Sequence, residues 1–310
     1  MTRSARVRAL AKINLDLRVL GKRPDGYHEL RTVFQTISLA DTLEVSFTPG
    51  RKASVELEDA LQIPDNLAAR AARLALDAMR ISGKVHIRLT KRIPMGAGLG
   101  GGSSNAAAVL LALPVLAGRV IPLPWLCEMA SELGSDVTFF LLGGRAAGIG
   151  RGTELFPLPD GPARAGILIA PGVHVSTVDA YRRLSPRLTT ELQQNKIVTF
   201  SSELWAEGVA ESGCNDFEAV VFEQHPRLAA LKRRLGRAGA APALMSGSGS
   251  AVFGLFRTGE EVSRALGLFE RENAFRITLV SRARYRQMWW HALKEHVARN
   301  LWPPRSRYAP

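Results

Sequence analysis

The chain has 310 residues and a formal net charge of +13; 46% of its residues are hydrophobic and 22% are charged. This length and composition describe a globular protein with room for two domains. No apolar run approaches the roughly 18 residues of a membrane helix, and strand-like patterning begins near Val7, so we expect neither a transmembrane nor a targeting segment. Cys127 and Cys214 show no paired spacing, which suits a reducing cytoplasm.

The positive charge is concentrated near the C-terminus. Residues 281–310 hold six arginines and one lysine against one glutamate, together with three of the five tryptophans. Apolar residues over 285–301 recur on one helical face. We therefore predict a basic, aromatic-rich helical extension over residues 283–310, which docks on its own chain, mediates self-association, or contacts a partner or an anionic membrane. The rest of the sequence is only mildly basic, which favours phosphorylated metabolites over nucleic acid as partners.

The first predicted strand carries two polar residues on one face. Residues 7–20 largely alternate between apolar and polar, and Lys12 and Asn14, two positions apart, point to the same side. A turn with Pro and Asp-Gly follows, and Tyr27 and His28 come directly after it. From their spacing alone, Lys12 and Asn14 fit an ordinary polar strand face as well as a functional site.

A glycine-rich loop marks the N-terminal half. Five glycines fall between Gly96 and Gly102, and Ser103 and Ser104 then open an alanine- and leucine-rich helix that we expect to end near Leu113. Glycine backbones can approach a ligand closely, and the free N–H groups of a helix start attract anions, so the loop predicts a phosphate site. It lacks the lysine of a Walker A loop, the ribose-binding acid of a dinucleotide fold, and the motifs of protein kinases. Upstream, the pattern predicts a strand over 32–47 with a break at 40–41, a helix capped by Asn66, and a strand over 84–90.

The C-terminal half begins after a turn-rich segment at residues 157–162. Beyond it, strands and helices alternate with hairpin-like pairs, which indicates an α+β fold rather than a doubly wound sheet. One of its helices bears Tyr181. A second small-residue loop at residues 246–250 is either a plain hairpin turn or a backbone that packs against the glycine loop. Asp136, in a Gly-Ser-Asp loop, fits a turn residue as well as a catalytic carboxylate.

Several segments together make the chain resemble the GHMP kinase superfamily. The resemblance covers about residues 7–280 and rests, in chain order, on residues 11–15, 21–28, 32–35, 93–107, 133–137 and 245–250. The long glycine loop is characteristic of the superfamily, and the Asp-Gly-Tyr-His block at 25–28 is similar to one branch of it. Leu10 and Thr138 stand where that branch usually has proline, and the basic extension has no counterpart in it.

The resemblance implies a two-domain α+β GHMP kinase fold. A ribosomal-protein-S5-domain-2-like N-terminal domain would span residues 1–158, and a ferredoxin-like αβ domain would span residues 159–282. The helical extension would follow at 283–310. The active site would lie in the cleft between the two domains.

The same resemblance implies roles for individual residues. Asp136 would be the catalytic carboxylate and Lys12 its partner. The cytidyl substrate would contact Asn14, Tyr27, His28 and Tyr181, and the second loop would contribute Gly247, Ser248 and Gly249. Mg²⁺ would arrive with ATP, with Ser104 as a weak ligand. ATP would be held at its adenosine by Asn66 and Lys91 and at its phosphates by Pro94, Met95, Gly96, Ala97, Gly98, Leu99, Gly100, Gly101, Gly102, Ser103 and Ser104.

The implied activity is ATP-dependent phosphorylation of the 2-hydroxyl of a diphosphocytidyl methylerythritol, in the non-mevalonate route to isoprenoids. Two alternatives stay open at this point. One is another small-molecule kinase of the superfamily, of the homoserine or mevalonate type. The other is a non-enzymatic RNA-binding protein that uses the basic surface.

Overall fold

The computed structural model describes residues 1–187 and 213–309, and two long antiparallel strands form the centre of its N-terminal half. These strands are β1 (Arg3–Lys22) and β2 (His28–Pro49). Both are longer than predicted, because the bulges in their pairing let each strand bend while it continues. β2 runs as one strand through the predicted break at residues 40–41. Its register with β1 shifts just before residue 40, between Thr36 and Ala40.

A six-stranded sheet with helices packed against it makes up this half. The strand order is β3-β4-β2-β5-β6, with β1 paired to β2, and the strands and helices share one apolar core. Helix α2 is buried on nearly all sides and runs four residues past its predicted end at Leu113, with Pro114 inside it. The remaining elements are β3 (Ser54–Asp59), α1 (Leu67–Met79), β4 (Gly83–Thr90), α2 (Gly101–Ala117), α3 (Leu123–Leu133), α4 (Val137–Leu142), β5 (Arg145–Gly150) and β6 (Glu154–Pro157).

The C-terminal half contains a four-stranded antiparallel sheet in the order β10-β7-β9-β8. Numbered along the chain, these are the fourth, first, third and second strands of the sheet, which is the ferredoxin-like arrangement that the resemblance implied. The predicted α+β class is therefore confirmed. The elements are β7 (Ala165–Ile169), α5 (Thr177–Leu184), α6 (Glu218–Gln224), α7 (Pro226–Arg237), β8 (Ala243–Met245), β9 (Val252–Phe256), α8 (Gly259–Leu266) and β10 (Ala274–Thr278).

The two sheets meet through a separate apolar cluster. Ile13 and Val33 from the central strands pack in it with Leu168 and Phe253 from the second sheet, and all four are fully buried. Burial of this surface fixes the two halves against each other, so the loops at their junction are held at defined distances. The predicted domain limits at 158 and 282 fall near the observed ends of β6 and the second sheet, and they stay predictions.

The C-terminal extension docks on the N-terminal half of its own chain. Helix α9 (Arg282–Ala292) buries Tyr285 and Trp289, and Leu293 follows them into the same core as α2 and α4. Ser306 donates its hydroxyl to the carbonyl of Val115 at 2.8 Å. The extension thus packs on its own chain, but its helix ends at Ala292 and does not continue over the predicted range 283–310. Self-association of the extension stays a prediction. Within the described residues, no helix has the length and apolar character needed to cross a membrane.

A buried ion pair holds the start of the glycine loop. Asp41 has no exposed surface and accepts hydrogen bonds from the backbone N–H groups of Arg92 (2.7 Å) and Ile93 (2.8 Å). The Lys91 ammonium forms an ion pair with the same carboxylate, and its side chain is only 9% exposed. The carboxylate thus ties the middle of β2 to the segment that leads into the loop.

We predict that Asp41→Ala lowers the free energy of unfolding by about 3–5 kcal/mol, because it leaves the Lys91 ammonium buried without a partner. Urea denaturation followed by circular dichroism measures this change. The control is Glu56→Ala, which removes a half-exposed pair with Lys84 and should cost less than about 1 kcal/mol. Equal losses in the two variants would contradict the structural role of Asp41.

Candidate active site

The glycine loop and the second small-residue loop interlock. Gly96, Gly98 and Gly100 have φ values of 63°, 74° and 67°, in the left-handed region that glycine adopts freely. A Cβ at Gly98 would lie 2.1 Å from the carbonyl oxygen of Ser246, and the Ser246 hydroxyl donates to the Gly98 carbonyl at 3.0 Å. Of the two alternatives for the second loop, the structure shows the one in which its backbone packs against the glycine loop. Gly247 also lies beside the Gly98 carbonyl.

The start of α2 is open to an anion. Gly100 precedes the helix without a side-chain cap, and the first turn contains no acidic residue. The N–H groups of the first turn have no partner inside the helix, and the helix dipole is positive at this end. Ser104 is buried, and its hydroxyl donates to the carbonyl of Leu10 at 2.7 Å. This hydrogen bond uses the hydroxyl hydrogen and leaves the lone pairs of the oxygen free to bind a metal ion. The weak metal contact of Ser104 stays a prediction.

Lys12 and Asp136 meet although they lie far apart in the sequence. The Lys12 ammonium is 3.5 Å from the Asp136 carboxylate, and the exposed fractions of the two side chains are 4% and 33%. Asp136 occupies the N-cap position of α4 but makes no capping hydrogen bond, so its carboxylate is free to face the cleft. The pair therefore presents a buried cation and a ligand-accessible carboxylate side by side at the cleft.

Lys12 is held in place by a chain of hydrogen bonds. Its ammonium donates to Oδ1 of Asn14 at 2.7 Å, and Nδ2 of Asn14 donates to the Thr32 hydroxyl at 2.7 Å. Thr32 in turn donates to the backbone carbonyl of Asp16 at 2.7 Å. Asn14 is 3% exposed, and its amide orients Lys12. Its predicted contact with substrate stays a prediction. No local sequence signal marks Thr32 for this role.

The side chains of His28 and Tyr181 pack against each other. Their rings stack with centroids 4.6 Å apart and an interplanar angle of 20°. Ser185 uses its one hydroxyl hydrogen to donate to the Tyr181 carbonyl at 2.8 Å, so its oxygen accepts the Nε2–H of His28 at 2.7 Å. In the neutral ring, Nδ1 of His28 is then the acceptor nitrogen. Burial, assisted by the charge of Lys22, lowers the pKa of His28, and burial raises the pKa of Tyr181.

A cavity of about 200 Å³ connects Lys12, Asp136 and Tyr181, whereas His28 does not line it. Arg151 lines it, and the guanidinium lies 3.4 Å from the centroid of the half-exposed Tyr27 ring. Arg151 has no characteristic neighbours in the sequence, and a lone arginine near a turn resembles any surface residue. The cavity is lined by predicted residues, namely Lys12, Asn14, Gly98, Gly100, Asp136, Tyr181, Gly247 and Ser248, and by residues the sequence analysis missed, among them Thr32, Arg151, Thr177 and Phe217.

Other predicted ATP contacts lie outside this cavity. The Asn66 side chain caps α1 by accepting from the N–H of Ala68 at 3.0 Å, and its amide donates to Asp59 at 3.3 Å. Lys91 is engaged with Asp41, and Met95 is 60% exposed at the rim of the loop. Their roles toward the adenosine and phosphates stay predictions.

The described residues could contact a metal ion that arrives bound to a nucleotide, but they form no metal site of their own. No group of three or more His, Cys, Asp or Glu side chains in the described residues is arranged to hold a metal. Mg²⁺ commonly takes one or two protein oxygens and fills its other positions with phosphate oxygens and water. Asp136 and Ser104 are the oxygen donors near the loop that meet this requirement.

We predict that the imidazole of His28 titrates below its ordinary pKa of 6.5, because burial and Lys22 both disfavour the cation. Since the folded pKa is the lower one, protonation opposes the folded arrangement as pH falls below that ordinary value. An NMR pH titration measures it, and Lys22→Gln should raise the pKa. Lys52→Gln, at an exposed lysine elsewhere, should leave it unchanged. A pKa at or above 6.5 in the unaltered protein would contradict the assignment.

Comparison with known proteins identifies the family. Residues 66–144 match the N-terminal domain of GHMP kinases, and residues 196–269 match their C-terminal domain. The chain is 66% identical over its full length to a 4-diphosphocytidyl-2-C-methyl-D-erythritol kinase of Solibacter usitatus, covering 99% of that protein. A second such kinase, from Geobacter metallireducens, is 40% identical over 85% of this chain and 93% of its own length.

Solved structures agree with this result. A crystal structure of 4-(cytidine 5'-diphospho)-2C-methyl-D-erythritol kinase is 40% identical, with a TM-score of 0.75, and covers 90% of this chain and 99% of its own. A mevalonate kinase of Methanococcus jannaschii, at 15% identity and a TM-score of 0.62 over 91% of this chain and 98% of its own, shares the fold. The chain therefore belongs to the GHMP kinases and, within them, to the family of 4-diphosphocytidyl-2-C-methyl-D-erythritol kinases.

Proposed function

We propose that the chain transfers the γ-phosphoryl group of ATP to the 2-hydroxyl of 4-diphosphocytidyl-2-C-methyl-D-erythritol, giving the 2-phosphate and ADP. The single observation that carries the proposal is the 3.5 Å contact of Lys12 with Asp136, beside two interlocked glycine loops. An RNA-binding protein has no need of this combination. The relatives that match nearly the whole chain favour this acceptor over homoserine or mevalonate.

Asp136 acts on the attacking hydroxyl. Its carboxylate faces the cavity, and an alcohol bound there can donate a hydrogen bond to it. A carboxylate is a weak base toward an alcohol, so it first orients the hydroxyl and accepts the proton late, as the new oxygen–phosphorus bond forms. Positioning of this kind provides much of the catalysis in phosphoryl transfer.

Lys12 supplies positive charge at the point of transfer. An ammonium has three N–H donors. One donates to Asn14 and a second faces Asp136, which leaves the third for a phosphate oxygen in the cavity. Because the ammonium is buried, its attraction for the developing charge is screened less than it would be in water.

The glycine loop and the start of α2 hold the phosphates of the donor. Their backbone N–H groups form the anion site, with the close backbone approach that only glycine allows at Gly98. Mg²⁺ bound with the nucleotide would neutralise phosphate charge, and Ser104 is the side chain proposed to contact it. We place the enzyme in the cytoplasm, where ATP is available and where free thiols such as Cys127 and Cys214 persist.

The wall formed by His28 and Tyr181 is proposed to bind the cytidyl group. The exocyclic amine of cytosine is a hydrogen-bond donor, and Nδ1 of His28 is an acceptor in the neutral ring. Aromatic faces of Tyr27 and Tyr181 provide stacking surface, worth about 1–3 kcal/mol per base in nucleic-acid sites. Arg151 adds a positive charge suited to the diphosphate of the substrate.

The direct test is ADP release from ATP with each candidate acceptor. We expect turnover with 4-diphosphocytidyl-2-C-methyl-D-erythritol and only background release with homoserine, mevalonate or no acceptor. Comparable turnover with one of the other alcohols would overturn the proposed substrate. RNA binding without any ADP release would overturn the proposed activity.

We predict that Asp136→Asn lowers kcat about 100-fold or more, because the amide cannot accept the proton of the hydroxyl. Steady-state ADP release measures kcat, and circular dichroism checks the fold. Asp77→Asn makes the same change at an exposed position on α1 and should retain full turnover. Near-normal kcat in Asp136→Asn would remove this residue from the mechanism.

A further inference from the structure

We propose that a groove beside the C-terminal helix binds a free phosphate ester that carries an apolar group, a function separate from the kinase site. The groove lies between the first strands and α9, and its volume of about 680 Å³ exceeds that of the kinase cavity. No residue lines both cavities. A volume in this range is typical of sites for small organic ligands.

The charged side chains that line the groove are all arginines, namely Arg6, Arg8, Arg92 and Arg284. Arg6 forms an ion pair at 3.8 Å with Glu44, which does not line the groove. In the described part of the chain, the guanidinium groups of Arg92 and Arg284 form no ion pair, and that of Arg8 donates only to a backbone carbonyl at 3.0 Å. Guanidinium groups bind phosphate oxygens in a bidentate manner, so a phosphate is the anion that this set recognises best.

The floor of the groove is apolar. Met288 and Ala292 are partly buried and keep apolar surface open to the groove, whereas Leu10 and Trp289, which also line it, are almost fully buried. A phosphate alone would contact the arginine rim and leave the apolar surface of Met288 and Ala292 in contact with water. A ligand with both a phosphate and a hydrocarbon or aromatic group would cover the floor, which adds favourable burial of apolar surface.

The test is isothermal titration calorimetry with octyl phosphate, inorganic phosphate and octanol, in the presence of a saturating non-hydrolysable ATP analogue that occupies the kinase site. We expect octyl phosphate to bind at least about tenfold more tightly than either fragment. Arg92→Gln/Arg284→Gln should weaken its binding at least about tenfold, as expected for two lost charged hydrogen bonds. Arg271→Gln/Arg299→Gln removes the same charge at exposed positions and should leave it unchanged.

Three results would overturn the groove proposal. Equal affinity for octyl phosphate and inorganic phosphate would mean that the apolar floor takes no part. An equal loss of affinity for octyl phosphate in both double variants would mean that binding depends only on the net charge of the protein. Binding to phosphatidylglycerol vesicles without binding of octyl phosphate would mean that the surface serves a membrane rather than a free ligand.

A different set of contacts supports a second inference: the extension positions Asp136 by holding the far end of α4. This inference rests on the proposed function. The Tyr285 hydroxyl donates to the Phe140 carbonyl at 2.6 Å, and Nε1 of Trp302 donates to the Leu141 carbonyl at 2.9 Å. These carbonyls belong to the last turn of the helix, where no intrahelical partner is available.

The geometry makes the helix end sensitive to the extension. A Cβ at Gly143, directly after α4, would lie 2.3 Å from the Tyr285 ring, so the aromatic residue is seated against the helix end. Phe140 is only about 6 Å along the axis from Asp136, and the helix transmits a shift of one end to the other. A misplacement of about 1 Å at a reacting group can cost about 100-fold in rate.

The test compares Tyr285→Phe/Trp302→Phe with Tyr308→Phe/Trp290→Phe. The control pair removes the same two donors, but their bonds, to the carbonyls of Glu295 (3.2 Å) and Leu301 (3.0 Å), stay inside the extension. We expect kcat to fall at least about fivefold in the first double variant, with the KM for ATP within about twofold, and to be unchanged in the control.

A lower melting temperature with unchanged kcat would show that the contacts only stabilise the fold, and would overturn this inference. Absence of turnover in the unaltered protein would instead contradict the proposed function. The two failures are therefore distinguishable in one assay.

Discussion

The buried ammonium of Lys12 is the constraint on which the arrangement of the site depends. Taking a cation out of water costs several kcal/mol unless it is paired and hydrogen-bonded. One partner, Asn14, lies on the same strand, and the other, Asp136, comes from the start of α4. The register of β1 with β2 shifts on both sides of Lys12, and such irregularities change the direction of side chains along a strand. The strand is thus bent where the cation must point into the cleft.

The second requirement is close approach of backbones from the two halves of the chain. Gly98 and Ser246 come so near that any side chain at residue 98 would collide with a carbonyl oxygen. The apolar cluster between the sheets brings the loops to this distance, and the hydrogen bond from Ser246 to the Gly98 carbonyl keeps them there. The glycine loop contains no lysine between Gly96 and Gly102, and the buried ammonium of Lys12, from β1, lies beside Gly247 of the second loop.

The sequence predicts best where one segment contains its own signal. The glycine loop has characteristic neighbours, and the alternation of strands and helices indicates the α+β class that the structure shows. The ferredoxin-like form of the second sheet and the roles of Lys12 and Asp136 were implied by the resemblance to GHMP kinases. The predictions were weaker where contacts join distant segments. The role of Ser185 in fixing the ring of His28 depends on the fold, as does the hydrogen bond between Lys12 and Asn14. The predicted end of α2 at Leu113 is four residues short of the observed end at Ala117. A proline such as Pro114 usually marks a helix boundary, but here the helix continues through it.

The way the extension packs argues against membrane binding by helix α9. An amphipathic helix that binds a bilayer needs its apolar face free for the lipid. In α9 that face is already used, since Tyr285 and Trp289 are buried in the core of the N-terminal half. The arginines that remain at the surface are therefore attached to a rigid support rather than to a mobile tail. Charges held at fixed positions over an apolar floor discriminate between ligands by shape as well as by sign, which a flexible basic tail cannot do.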